Sequence, residues 1–325
     1  MDTDDLAEWT PIAIRWEEPE PVIKWCRLGE RRFVEPFFDQ TIHNWRNDPD
    51  YRHGLRVTPA QALNDLQESM PGPPPAGFIF HASRCGSTLV AQMLASIARN
   101  RVLSEPDILD SLLAAARRSS LTGDRTLRLL RGIVGALGRP PRQPERSYFV
   151  KFSSAAILAM PLIRRAFPDV PWVFLYRDPL EILGAQLHVT GDRLPPGLAQ
   201  AGLLDGDPAE FERMPPADFW ARVLVSRCAA ALEWYQPGRT LLLNYPQLPG
   251  AVWEILRPFF GATCSPEDIE RMRSAATRNA KAPSRSFVAD SDRKRRAVTP
   301  AVHALVDSLV MPLYRRLESI RIEGN

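Results

Sequence analysis

The chain has 325 residues, 45% of them hydrophobic, and a formal net charge of +3 at pH 7. That length suits one large α/β domain with a substantial core. The small charge excludes the strong basic excess of a general nucleic-acid binder.

Residues 1–75 read as an N-terminal extension of unknown role, separate from an α/β domain over 76–325. Within it, the apolar runs Pro11–Trp16, Val22–Leu28 and Phe33–Phe38 predict short strands. Thr58-Pro59-Ala60-Gln61 has the form of a helix start, with Thr as cap and Pro at the first position, and the helix is expected to reach about Met70. Pro71-Gly72-Pro73-Pro74-Pro75 then acts as a stiff connector. Beyond it, strands and helices alternate. Strands are expected at Gly77–His81, Arg101–Ser104, Tyr148–Phe152, Pro171–Arg177 and Thr240–Tyr245. Helices are expected at Thr88–Ala98, at Asp107–Arg118, from Phe152 to about Phe167, after Asp178 with a capping box, and over 217–236. Ser265-Pro266 and Thr299-Pro300 open two more. This alternation predicts a parallel sheet covered on both faces, with ligands bound at the carboxyl ends of its strands. Gly191–Pro216 is long and rich in Pro, Gly and acids, and reads as a binding loop or lid. Its acids, Asp192, Asp205, Asp207, Glu210 and Glu212, outnumber Arg193 and Arg213, which favours a cationic or neutral bound molecule.

Cys26, Cys85, Cys228 and Cys264 form no CxxC pair, so neither a zinc site nor a disulfide framework is expected. The acidic start Met1-Asp2-Thr3-Asp4-Asp5 is not a secretory signal, and no apolar run approaches membrane length. The expectation is a soluble, cytoplasmic protein with no nucleic-acid, membrane or metal partner. Oligomeric state is not legible.

The chemistry centres on Phe78–Leu94, where a buried strand runs through His81-Ala82-Ser83-Arg84-Cys85-Gly86 into a helix at Ser87-Thr88-Leu89. Gly86 lets backbone amides turn toward an anion, and the helix start favours phosphate. Arg84 adds a fixed positive charge. Against a Walker A loop, only the second Gly and Thr88 survive; the Lys position is Ser87. A phosphatase loop fails as well, because the residue six after Cys85 is Ala91 and not Arg.

Arg84-Cys85-Gly86-Ser87-Thr88-Leu89 resembles the 5′-phosphosulfate loop of sulfotransferases, in the form found in bacterial and protein-tyrosine enzymes. The resemblance covers about residues 76–290. It implies a P-loop-type α/β fold and transfer of a sulfuryl group from 3′-phosphoadenosine 5′-phosphosulfate (PAPS) to a small-molecule or peptide hydroxyl or amine. On this resemblance Arg84, Cys85, Gly86, Ser87, Thr88 and Leu89 hold the phosphosulfate. Arg177 matches the family's 3′-phosphate Arg; Ala185 replaces its Ser partner, with Gln186 adjacent. Lys151 matches a strand-end Lys, with Ser153 in place of a catalytic His. Glu105 is then the candidate base. Tyr245 is similar to a residue near the adenine, and Lys281 to a late basic loop over the nucleotide. Catalytic roles thus fall to Glu105, Lys151 and Arg84, with no metal. The alternatives are an ATP-using P-loop kinase and a non-catalytic nucleotide-binding protein. The basic run Arg293–Arg296 reads as a solvated face or a cover over the nucleotide.

Overall fold

A computed structural model describes residues 6–17, 20–29, 31–47, 54–118, 123–139, 147–191, 193–198, 201–286 and 298–323. Asp192 and the run Arg293–Arg296 lie outside the described residues.

The first residues build a small antiparallel sheet. Strands β1 (Thr10–Arg15) and β2 (Val22–Cys26) pair, and α1 (Phe38–Trp45) separates them from β3 (Leu55–Pro59), which pairs with β2. Phe33–Phe38 was expected as a strand. Instead Phe33 and Phe38 stack with ring centroids 5.1 Å apart, and the helix starts at Phe38. Helix α2 spans Gln61–Ser69. It starts later than Thr58-Pro59 suggested, because both residues belong to β3 and the Thr58 hydroxyl accepts from Trp25 Nε1 at 2.9 Å. A polar contact across the sheet here outcompetes the capping role.

Next come β4 (Gly77–His81), α3 (Ser87–Ala95), β5 (Asn100–Ser104), α4 (Asp107–Arg118), α5 (Asp124–Gly138), β6 (Ser147–Lys151), α6 (Met160–Ala166), β7 (Trp172–Tyr176), α7 (Pro179–Thr190), α8 (Pro208–Glu212), α9 (Pro216–Glu233) and β8 (Thr240–Asn244). Helix α10 (Pro266–Ala276) precedes a hairpin of β9 (Arg278–Asn279) and β10 (Ala282–Ser286), and α11 (Pro300–Leu309) and α12 (Met311–Glu323) follow. The Ser265 and Thr299 caps are as expected; each accepts from a backbone N–H three residues on. Asp178 caps α7 through Leu180 and Glu181 N–H, but the Glu181 carboxylate is engaged by Arg177.

The five strands β5-β6-β4-β7-β8 form one sheet in that order, every pair parallel. The protein is therefore α/β, a parallel sheet with helices on both faces and a small antiparallel sheet at the N-terminus. Period-two alternation divides the strand residues between two cores. Phe78, Phe80, Tyr148, Val150, Trp172 and Phe174 face one side, and Ile79, Phe149, Val173, Leu175 and Leu243 the other. The N-terminal Trp9, Ile12 and Trp25 join the first of these cores, where β1 packs on α4 and α5. No described helix is long and apolar enough to cross a membrane.

All five strands end at one edge. The chain steps from β4 outward to β5, returns as β6, and crosses to β7 on the other side. That reversal leaves a crevice at the carboxyl end of β4, where sheets of this kind hold ligands.

Candidate active site

The crevice is a cavity of about 640 Å³, within the range that accommodates a nucleotide-sized ligand. Its lining includes Arg84 through Leu89, Glu105, Arg177, Gln186, Tyr245 and Lys281, together with Phe37, His81, Asp110, Arg117 and Ser153. Of the catalytic and cofactor-binding residues assigned from sequence, only Lys151 is absent from the wall. It is fully buried behind it.

The loop between β4 and α3 is strained. Ser83, Arg84 and Gly86 have φ of 71°, 50° and 85°. Left-handed conformations are unfavourable for Ser and Arg and persist where the surroundings enforce them. Here the restraints can be named. His81 Nδ1 accepts from Ser83 N–H at 3.0 Å. Gln186 Nε2 donates to Ser83 Oγ at 3.2 Å, and Arg84 Nε donates to Gln186 Oε1 at 3.4 Å. Cys85 Sγ lies 3.1 Å from Leu175 O and donates to it. Left-handed residues in succession curl backbone amides into an anion-binding concavity. Helix α3 starts from Gly86 with no side chain capping it, so its first N–H groups and positive dipole end face the crevice.

Cys85 is inert in this setting. It has no exposed surface, and burial pushes its thiol up to about 11. Cys26 and Cys228 are also buried, whereas Cys264 is partly exposed. Thiolates are the reactive species, so iodoacetamide is expected to label Cys264 in the native protein well before the other three. Mass spectrometry of the alkylated peptides checks the order.

Around the loop, positive charge gathers. Lys281 sits in the β9–β10 turn, where Asn279 Oδ1 accepts from the Lys281 and Ala282 N–H groups at 3.0 and 3.1 Å. Its pKa is lowered, first by desolvation and then by the charges of Arg84 and Lys151. On the far side, the buried Arg177 pairs with Glu181 and lies over the Tyr245 ring, 3.9 Å from its centroid. Gln186, adjacent to Ala185, braces Ser83 and Arg84.

Glu105 follows β5 with φ 55° and is held there by its N–H bonded to Lys151 O at 2.7 Å. Its carboxylate pairs with Lys151 Nζ, which also donates to Ser104 Oγ at 3.3 Å and lies 5.2 Å from the Phe37 ring centroid. His81 Nε2 is 3.4 Å from the same carboxylate. Burial alone would push Glu105 up; the pull of His81 and Lys151 outweighs it and holds the carboxyl at about 2. His81 is lowered by burial, so it is neutral at pH 7, with Nδ1 as acceptor toward Ser83 and the proton on Nε2 toward Glu105.

Asp110 was not picked out from sequence. Its Oδ1 accepts from Ser153 Oγ at 2.6 Å, and burial, opposed by that hydrogen bond, raises its carboxyl to about 7. Phe37, also missed, carries no sequence signal, because its place in the wall depends on how the N-terminal segment packs. The acidic loop is partly accounted for. Asp205 pairs with Arg117 at 2.5 Å, Arg117 also donates to Gly202 O at 2.7 Å, and Asp207 caps α8. Among the described residues, no three His, Cys, Asp or Glu side chains cluster as a metal site.

No protein-family profile matches the chain, and no curated protein does. Solved structures do. The chain is similar to solved sulfotransferases. One is sulfotransferase STF9 from Mycobacterium avium, at 15% identity and TM-score 0.46, covering 78% of this chain and 80% of that one. A second is sulfotransferase STF1 from Mycobacterium tuberculosis H37Rv, at 16% and 0.45, covering 77% and 82%. A third is mouse sulfotransferase SULT7A1 complexed with PAP, at 13% and 0.43, covering 80% and 93%.

Proposed function

We propose that the protein is a sulfotransferase that takes PAPS as co-substrate and moves its sulfuryl group to an acceptor hydroxyl or amine. The observation that carries this reading is the charge arrangement around the β4–α3 loop. Arg84 on the loop and Lys281 in the hairpin line the same cavity, and Lys151 at the end of β6 is buried behind its wall. Positive charge gathered beside an uncapped helix start is a site prepared for a polyanion. The Walker Lys is replaced by Ser87, so the cations arrive from three separate elements. That arrangement favours a phosphosulfate over an ATP γ-phosphate held by a P-loop Lys.

In this reading Arg84 and the amides of Cys85, Gly86, Ser87, Thr88 and Leu89 grip the 5′-phosphosulfate. Arg177, over Tyr245, meets the 3′-phosphate. Gln186 fixes the loop's shape, and Lys281 covers the nucleotide. Sulfuryl transfer places attacking and leaving oxygens in line and needs position and charge more than covalent help. Arg84 lies at the growing negative charge on the leaving phosphate oxygen, and Lys151 adds its field from beneath the wall. Glu105 and Asp110 are the carboxylates on the cavity that can receive the acceptor proton. The acceptor itself is a small molecule or peptide.

Thermal unfolding with 3′,5′-ADP, ATP–Mg²⁺ and AMP tests the reading. 3′,5′-ADP at 100 times its Kd is expected to add about 2.7 kcal/mol of stability, and AMP at equal concentration less. Stabilisation by ATP–Mg²⁺ without any by 3′,5′-ADP would overturn it in favour of a kinase.

A further inference from the structure

We propose that Asp110, held by Ser153, is the general base that takes the acceptor proton, and that Glu105 instead holds Lys151 in place. The inference rests on the sulfotransferase reading and adds the assignment of its base.

Geometry separates the two carboxylates. Glu105 is already engaged, with Lys151 Nζ bonded to its Oε1 and His81 Nε2 3.4 Å from the same atom. A carboxylate between an ammonium and an imidazole N–H is a weak proton acceptor. Asp110 stands one turn further along, in the first turn of α4. Asp110, Leu113, Ala114 and Arg117 all line the cavity, and their spacing of three, four and seven residues makes one helix stripe. The stripe sets Asp110 beside the apolar Leu113 and Ala114 on the cavity wall, with Arg117, which pairs with Asp205, at its far end. Asp110 is the one carboxylate on it. Ser153 Oγ holds Oδ1, which fixes the side chain and leaves Oδ2 outside that bond. The charged groups facing Asp110 are Glu105 and Asp107, which raise its proton affinity, and Lys151, which lowers it. With burial added, its carboxyl lies at about 7, where a base is both available and basic enough at neutral pH.

The step balances simply. The acceptor oxygen forms a bond to sulfur as the bond between sulfur and the 5′-phosphate oxygen breaks. The acceptor proton passes to Asp110, and the electron pair of the broken bond leaves on 3′,5′-ADP.

The test measures 3′,5′-ADP formation from PAPS as a function of pH, with benzyl alcohol and 4-nitrophenol as acceptor probes. Benzyl alcohol needs a base; 4-nitrophenol ionises near neutrality without one. Asp110→Asn is expected to lose about 10²–10⁴-fold with benzyl alcohol. The same variant is expected to lose far less with 4-nitrophenol and to keep its affinity for 3′,5′-ADP. The wild-type rate with benzyl alcohol should rise through neutral pH, and that limb should vanish in Asp110→Asn. Ser153→Ala keeps the carboxylate but removes a hydrogen bond that favours its ionised form, so the limb should move to higher pH. An unchanged rate and limb in Asp110→Asn, or equal losses with both acceptors, would overturn the assignment and leave the sulfotransferase reading standing. Wild-type protein that neither binds 3′,5′-ADP nor consumes PAPS would overturn that reading and this one with it.

Discussion

Lys151→Met is expected to lower stability by about 3 kcal/mol, because it strips the cation from a partly buried carboxylate. The lysine has no exposed surface and its ammonium pairs with Glu105. The sign of the pH dependence follows from Glu105. Its carboxyl is held at about 2, below its ordinary 4.5. A depressed carboxyl stabilises the fold fully above the unfolded value, and that contribution fades as pH falls through the folded one. The gap between wild type and Lys151→Met should therefore be full at neutral pH and shrink as pH falls from 4.5 toward 2. Urea unfolding at neutral pH and in that acid range measures it; a gap independent of pH would mean that the pair does not set the stability. Transfer should fall by about 10²-fold, the usual cost of losing one fixed positive group near a developing anion.

Gly86→Ala should damage the nucleotide site more than the fold. At φ 85° a Cβ is strained, and here it would also meet Leu248 Cδ1 at 2.8 Å and Tyr245 Cδ2 at 2.9 Å. The backbone conformation alone costs about 1–2 kcal/mol for a residue with a side chain. The contact displaces the ring over which Arg177 lies, so affinity for 3′,5′-ADP should drop by about tenfold or more, equivalent to about 1.4 kcal/mol. Gly238→Ala is the control. Gly238 has φ 75° with nothing within 4 Å of its Cβ position, so it should lose similar stability and keep the affinity. Calorimetric titration of both variants decides; equal affinities would show that Gly86 serves the turn alone.

Patterns local in the chain were legible. The five parallel strands stand out because each is a short apolar run between polar turns, and α4 was bounded at Asp107–Arg118 without error. The β4–α3 loop was legible for the same reason, as strand, turn and helix are contiguous. Helix α5 and the β9–β10 hairpin were not anticipated. The apolar residues of α5 find their partners on α2, α4, α6 and β1, which lie elsewhere in the chain, and β9 has two residues. At the site, Glu105 and Lys151 could each be noticed singly, but their ion pair is a consequence of β5 and β6 lying side by side, with Ser104 opposite Lys151. Asp110 was hidden because an acid in a first helical turn is ordinary. Only the cavity on its side of α4, and Ser153 reaching it from the segment after β6, set it apart.

Phe37 gives the N-terminal segment a stake in the chemistry. Its ring covers Lys151 Nζ at 5.2 Å and forms part of the cavity wall. A protein shortened to residue 76 would therefore lose more than an appendage. Water would reach an ammonium that is now dry, the Glu105–Lys151 attraction would weaken in the higher dielectric, and the two carboxylates on the cavity would lose the contrast in proton affinity that separates their roles.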